Sequence, residues 1–196
     1  MKKVGIIILV AVILIIAGVA ISYNSLVKSQ EAVNEAWAQV QNVYQRRLDL
    51  VPNLVETVKG YAAHEKTTFM AVTQARSRVV DLTEGLSNEI LNDPEKLKQF
   101  QNAQENLGSA LARLLVVVEN YPELKASENF LTLQSQLEGT ENRIAVERRR
   151  FNEMARIYNI KIRQFPTNLI AGVFNFKNKA YFEAVRGAEE APKVEF

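Results

Sequence analysis

Residues 4–61 read VGIIILVAVILIIAGVAISYNSLVKSQEAVNEAWAQVQNVYQRRLDLVPNLVETVKGY, and no turn signal interrupts them where the apolar run gives way to a mixed pattern. The first part, Val4 to Ile21, is an uncharged apolar run. At about 1.5 Å per residue it nearly crosses a hydrocarbon core of about 30 Å. That length predicts a transmembrane helix. A cleaved signal peptide is the competing reading, because Met1-Lys2-Lys3 resembles its basic start and Gly18-Val19-Ala20 a small-residue cleavage site. The apolar region of such peptides is usually only about 7–15 residues, which favours a retained anchor.

Beyond Ser22 the apolar residues recur at steps of three and four: Leu26, Val33, Trp37, Val40, Tyr44, Val51, Leu54, Val58 and Tyr61. This is the seam of a helical bundle or coiled coil, and the anchor is expected to continue directly into it. Pro52 falls inside the seam, removing one backbone bond, but the spacing persists on both sides, so a kinked continuous helix running to about Val80 is expected. Ala32, Ala36, Val43, Leu48, Leu50 and Val55 widen the apolar face beyond one seam, which predicts a homo-oligomer if only two further helices cover it.

Asp81 to Pro94, DLTEGLSNEILNDP, carries turn residues and reads as a connection with one helical turn. Asp93 is the expected N-cap of a second helix, with Pro94 at its first position. Leu97, Phe100, Gln104, Leu107, Leu111, Leu114 and Val118 line one face of it, and Asn120-Tyr121-Pro122 ends it. A third helix is expected from Ser127, with Phe130, Leu133, Leu137, Ile144, Phe151, Met154, Tyr158, Ile162 and Phe165 on its apolar side, stopped at Phe165-Pro166. The aromatic stretch TNLIAGVFNFKNKAYFEA lacks a clear period and is expected to fold across the bundle end. No alternation of period two is sustained, so the fold class is all-α.

Lys plus Arg number 24 and Asp plus Glu 22, a net charge of +2 that gives no field to gather nucleic acid, and none is expected as a partner. There is no cysteine, which removes disulfides, thiol nucleophiles, thiolate metal sites and lipid attachment together. His64-Glu65 invites comparison with the zinc-binding HExxH helix, but the fifth residue is Thr68 and His64 is the only histidine. A carboxylate site of Glu65, Glu141 and Glu147 is the remaining metal option. No catalytic, cofactor-binding or metal residues are assigned, and no cofactor is expected.

Candidate structural or docking residues are instead Arg46, Arg47, Asp49, Pro52, Asn53, His64, Arg148, Arg149 and Arg150. Asp49 is placed to pair with Arg46, and Arg47 to bond carbonyls freed at Pro52. The arginines after Glu147 are read first as a solvated face and second as a grip for lipid phosphate or a partner.

Tyr23-Asn24-Ser25-Leu26-Val27, Val33 and Trp37, the block RRLDLVPNLVETVKGYAAHE at residues 46–65, Phe151-Asn152, Tyr158-Asn159, and Phe165-Pro166-Thr167-Asn168-Leu169-Ile170-Ala171 followed by Phe176 and Tyr181-Phe182-Glu183-Ala184 together resemble the bacterial LemA family. The resemblance covers residues from about 20 to about 185. It implies an N-terminal membrane anchor and an antiparallel helical bundle with a long, bent first helix, and it brings no established activity or catalytic residues.

The expected organisation is a short cytoplasmic start at 1–3, a transmembrane helix at 4–21, a helical-bundle domain at 22–187 and a charged tail at 188–196. The expected function is a non-enzymatic, membrane-anchored interaction or scaffold module of the bacterial envelope, with the bilayer and an unidentified envelope protein as partners. A carboxylate-metal enzyme built inside the bundle, or a lipid-binding protein, is the alternative. Lys2 and Lys3 precede the span, while Lys28 stands alone after it until Arg46, so the carboxyl-terminal domain is expected in the periplasm or outside the cell. Protease added to spheroplasts should therefore digest the domain while a cytoplasmic control survives; protection of the domain would reverse the topology.

Overall fold

The computed structural model describes residues 2–84 and 88–183, and among these the chain is helical with no strand. The expected tail at 188–196 and the domain end at 187 lie outside the described residues. Helix α1, Lys2–Lys59, is 58 residues long and passes without interruption from the apolar run into the bundle. It is the one helix among the described residues long and apolar enough to cross a membrane, and its apolar window is wholly exposed. Then follow α2 (Lys66–Glu84), a 3-10 turn (Asn88–Asn92), α3 (Pro94–Val118), the single turn α4 (Pro122–Lys125), α5 (Glu128–Arg163) and α6 (Thr167–Val173). An extended segment closes the described chain at Glu183.

One expectation is overturned here. The first helix does not run to Val80; it stops at Lys59, and residues 60–65 turn the chain so that α2 folds back. Gly60 N–H bonds the Glu56 carbonyl and Ala62 N–H the Val58 carbonyl, a frayed last turn after which α2 starts afresh. Glycine's conformational freedom makes Gly60 a natural stopping point. The bundle therefore has four long helices, with α1 against α5 and α2 against α3 as the main packed pairs. Tyr61, expected on the seam, is exposed because the helix has already ended.

Most of the seam is buried as its period requires. Leu26, Val33, Trp37, Val40, Tyr44, Val51, Leu54 and Val58 are all interior. So is the α3 face of Leu97, Phe100, Gln104, Leu107, Leu111, Leu114 and Val118. Asp93 caps α3 as expected, its side chain accepting from the Glu95 and Lys96 N–H groups at 3.0 and 3.2 Å. Ser127 takes the N-cap position of α5 without a side-chain capping bond. Phe165 departs from its expected place in the core: α5 ends two residues earlier, at Arg163, and the ring stands in the open.

The interior divides into two apolar clusters along α1. The distal one joins Leu48, Val51, Leu54 and Val58 to Phe69 and Val72 of α2, to Leu107, Leu111 and Leu114 of α3, and to Phe130 and Leu137 of α5. The membrane-proximal one joins Leu26, Val33, Trp37 and Tyr44 to Phe100, Phe151, Tyr158, Ile170 and Phe182. Helix α2 contributes only to the first. In the second its place is taken by α6 and the C-terminal segment. The wide face of α1 is thus covered within the chain: Ala36, Leu48 and Val55 are buried, and Ala32, Val43 and Leu50 half-buried. The width of that face consequently gives no argument for a second copy.

Pro52 sits inside α1 with no loop around it. It cannot donate to the Leu48 carbonyl one turn back, and that acceptor is instead satisfied from α2, by Arg76 Nε at 3.1 Å. The backbone defect thereby becomes a tie between α1 and α2. Arg76→Ala should destabilise the domain by about 1–3 kcal/mol, since it leaves a part-buried carbonyl without a partner. In a Pro52→Ala background, where residue 52 regains its N–H, the same substitution should cost clearly less, and denaturant unfolding of the four members of the cycle measures the difference. Equal losses in both backgrounds would refute the tie.

Candidate interaction surface

Arg47 lies at the junction of the two apolar clusters, one turn from Tyr44 on one side and next to Leu48 on the other. Its side chain is almost fully buried, at 5% exposure. Nη1 donates to the Gln104 carbonyl at 3.3 Å and approaches that residue's Oε1 at 3.5 Å, both on α3. Nε stands 2.8 Å from Glu141 Oε1 on α5. Gly108 leaves room for the guanidinium, because a Cβ there would come within 2.8 Å of Nη2. Burial pushes the Arg47 pKa below its ordinary value while the Glu141 carboxylate opposes the shift. Burial likewise raises that of Tyr44.

The arrangement bolts three helices together. It also corrects the expected role of Arg47, which donates to α3, forms an ion pair with α5 and leaves the carbonyl freed by Pro52 to Arg76. The ion pair is buried on the Arg47 side only, since the Glu141 side chain is 44% exposed.

The rest of the cluster on α1 faces water. Arg46, Asp49, Pro52 and Asn53 are exposed. Asp49 accepts from Gln45 Nε2 at 2.8 Å, so its partner one turn back is Gln45 where Arg46 was expected. The Asn53 carbonyl accepts from the Thr57 hydroxyl at 2.8 Å. His64 is exposed in the connection to α2. Glu65, Glu141 and Glu147 do not converge: Glu65 lies beside Tyr121 at the distal end, Glu141 pairs with Arg47, and Glu147 lies 3.9 Å from Arg150.

Of the three consecutive arginines on α5, the first turns inward and the other two outward. Arg148 lies over the Phe182 ring, 4.7 Å from its centroid, and Nη2 donates to the Glu183 carbonyl at 3.0 Å. Arg149 and Arg150 line an open groove with Val146, Asn152, Glu153, Arg156 and Tyr181, a concavity of about 770 Å³. Glu153 is taken up by Arg156 at 2.7 Å, which leaves the groove with an excess of positive charge.

The groove's far wall is the extended segment, held in place by residues to which sequence reasoning gave no role. Asn159 accepts from the Lys179 N–H and donates to its carbonyl, both at 2.8 Å. Asn152, seven positions earlier and on the same side of α5, does the same for Phe182, both at 2.9 Å. Gln101 of α3 repeats the pattern at Glu183, at 3.1 and 3.2 Å.

Three side-chain amides thus substitute for a neighbouring strand, and the Ala180 N–H completes the pairing on the Leu91 carbonyl at 2.8 Å. A signal was present in the sequence: amides repeating at two helical turns beside the apolar stripe of α5, where a buried polar group needs a partner. Phe182 fills the centre, with its ring 5.5 Å from Phe151 and 6.1 Å from Trp37.

The residues that form the buried arginine layer and the clamp all lie within a stretch that matches a known family. The LemA family pattern matches residues 36–196. The chain belongs to the LemA family. It is 29% identical over 187 residues to magnetosome protein MamQ 2 of Paramagnetospirillum magneticum, covering 88% of this chain and 69% of that one. Magnetosome protein MamQ of Magnetospirillum gryphiswaldense is 28% identical, with 82% and 64% covered. Protein LemA of Metamycoplasma hominis is 27% identical over 161 residues, covering 82% and 68%.

Membership agrees with a membrane-associated helical protein, and the amide clamp is a feature of this chain's own geometry. Asn159→Asp keeps the shape of the side chain but replaces a donor with a carboxylate oxygen facing the Lys179 carbonyl. It should destabilise the domain by about 1–3 kcal/mol and speed amide exchange at residues 179–182 far more than along α5. Unchanged exchange there would rule the clamp out.

Proposed function

We propose that this LemA-family chain is a non-enzymatic interaction module of the bacterial envelope, displayed outside the cytoplasm by its anchor and docking an acidic protein segment in the α5 groove. The observation that carries the reading is the pairing of Arg149 and Arg150 with Tyr181 and Val146 in one open concavity. It offers cationic forks beside exposed apolar surface, a combination suited to recognising carboxylates on a flexible segment. The buried polar groups support the same reading. Arg47, Asn152 and Asn159 are engaged in holding helices and backbone, as is Gln101, so the groups that resemble a built site are structural.

A photo-crosslinking residue at Val146 in the full-length chain, expressed in its native membrane, should capture a discrete partner. Arg149→Glu together with Arg150→Glu should remove most of that adduct while leaving the melting temperature close to wild type, since both side chains are exposed. An adduct unaffected by the charge reversal would overturn the groove, and an adduct consisting only of a second copy would point to self-assembly. Elemental analysis of the purified chain bears on the enzyme alternative: stoichiometric iron, manganese or zinc would overturn the non-enzymatic reading.

A further inference from the structure

We propose that α6 is a second membrane contact, a short helix lying in the boundary between headgroups and acyl chains beside the α1 span. The inference rests on the anchoring reading of residues 4–21 and names what else in the fold touches the bilayer. Helix α6 has two apolar sides. Ile170 and Ala171 are buried in the membrane-proximal cluster. On the other side Leu169 and Val173, one turn apart, are 61% and 80% exposed, next to Phe165 at 80% and Phe174 at 52%. These values match those of the span itself, where Leu14 is 67% and Ile21 70% exposed. In water this patch would be an unfavourable surface; in lipid it is the expected one.

The depth of α6 is set by contacts to α1. The Phe174 ring lies 4.8 Å from that of Tyr23, immediately past the span, and Phe176 lies 5.8 Å from it. Phe174 also shares an apolar hollow with Ile15, Ile16, Val19 and Ala20, which belong to the span. Continuity with the span therefore places α6 at the level where an aromatic belt forms.

The end of α5 is fixed at the same height. Lys161 Nζ donates to the Ser25 carbonyl at 3.0 Å and to the Ser29 hydroxyl at 2.9 Å. A Schellman turn then leads the chain back into the bundle, with Asn175 at φ 57° and the Phe176 N–H on the Ala171 carbonyl at 2.9 Å.

Charge completes the match. No acidic residue occurs between Ile157 and Phe182, or between Val4 and Gln30, and Lys28, Arg163 and Lys177 are exposed around this end. A cationic collar over an apolar patch is the chemistry of an anionic bilayer surface. Two contacts with the bilayer would hold the bundle at a set tilt, whereas a single helix allows it to swing.

The absence of cysteine makes the test direct, because an introduced thiol is the only one to label. Full-length chains carrying Leu169→Cys or Val173→Cys, with Ile16→Cys as the lipid reference and Val116→Cys on α3 as the water reference, would be labelled with an environment-sensitive dye and reconstituted in phosphatidylcholine–phosphatidylglycerol vesicles. Nitroxide carried near the headgroups should quench the labels at 169 and 173 strongly and the label at 116 very little. The emission at 169 and 173 should shift to the blue towards that at 16. Arg163→Glu with Lys177→Glu should reduce this quenching in anionic vesicles and leave it unchanged in pure phosphatidylcholine.

Labels at 169 and 173 as wet as the one at 116, while the label at 16 is quenched, would overturn the inference and spare the anchor. Shielding from a water-borne quencher without quenching by lipid nitroxide would assign the patch to a second copy and overturn it equally. An unquenched label at 16 would refute the anchor, and the inference with it.

Discussion

Arg47 enters the interior at the point where α1, α3 and α5 approach one another, and its guanidinium is matched there by Gln104, Glu141 and the space above Gly108. Apolar clusters lie to either side of it. Sliding any of the three helices by one turn would place a charge against aliphatic side chains and strand its partners. Buried polar layers of this kind resist sliding more than they add stability, because the desolvation penalty offsets much of the Coulombic gain. Arg47 therefore favours one register of α1 against α3 and α5, with the part of α1 that faces α2 on one side of it and the part that faces the C-terminal segment on the other.

That register has consequences at both ends. Distally, α2 packs on α1 through Phe69 and Val72 and through Arg76, which bonds the carbonyl that Pro52 leaves open. The proline thus helps to hold α1 and α2 together. Proximally there is no α2, and the gap is filled by backbone that has no strand beside it. Amides of Asn152, Asn159 and Gln101 provide pairing for the backbone of Lys179, Phe182 and Glu183, so an extended segment can lie among helices. The same segment forms a wall of the α5 groove and carries Phe182 into the core.

Because α1 is continuous from the apolar run to Lys59, no break in the helix separates that run from the bundle. At about 1.5 Å per residue, the portion of α1 beyond Ile21 is roughly 55 Å long. Helix α5, antiparallel to α1, runs back towards the apolar run and delivers α6 beside Tyr23. The α5 groove sits between these extremes, towards the membrane-proximal half.

The continuous apolar helix at the start, the all-helical class, the seam on α1, the capped start of α3 and the arrest of α5 before Pro166 were all legible in the sequence. Each is a local property: apolar periodicity, a proline's missing N–H and a capping side chain act within a few residues of themselves. The end of the first helix was misjudged because Gly60 signals only weakly within a sustained period, and the choice between continuing and folding back is made by what α2 can bury. Residue types alone picked out Arg47 and the arginines at 148–150, but their roles were decided by distant partners: Gln104 and Glu141 for the first, Phe182 and Glu183 for Arg148. The amide clamp lay hidden for the same reason, since Asn152 and Asn159 find their backbone partners only after the chain has passed Pro166 and turned at Asn175. What the sequence by itself determined was which faces must leave water; which surface meets each of them was decided by the tertiary structure, because burial is indifferent to partner until shape, charge and unsatisfied hydrogen bonds select one.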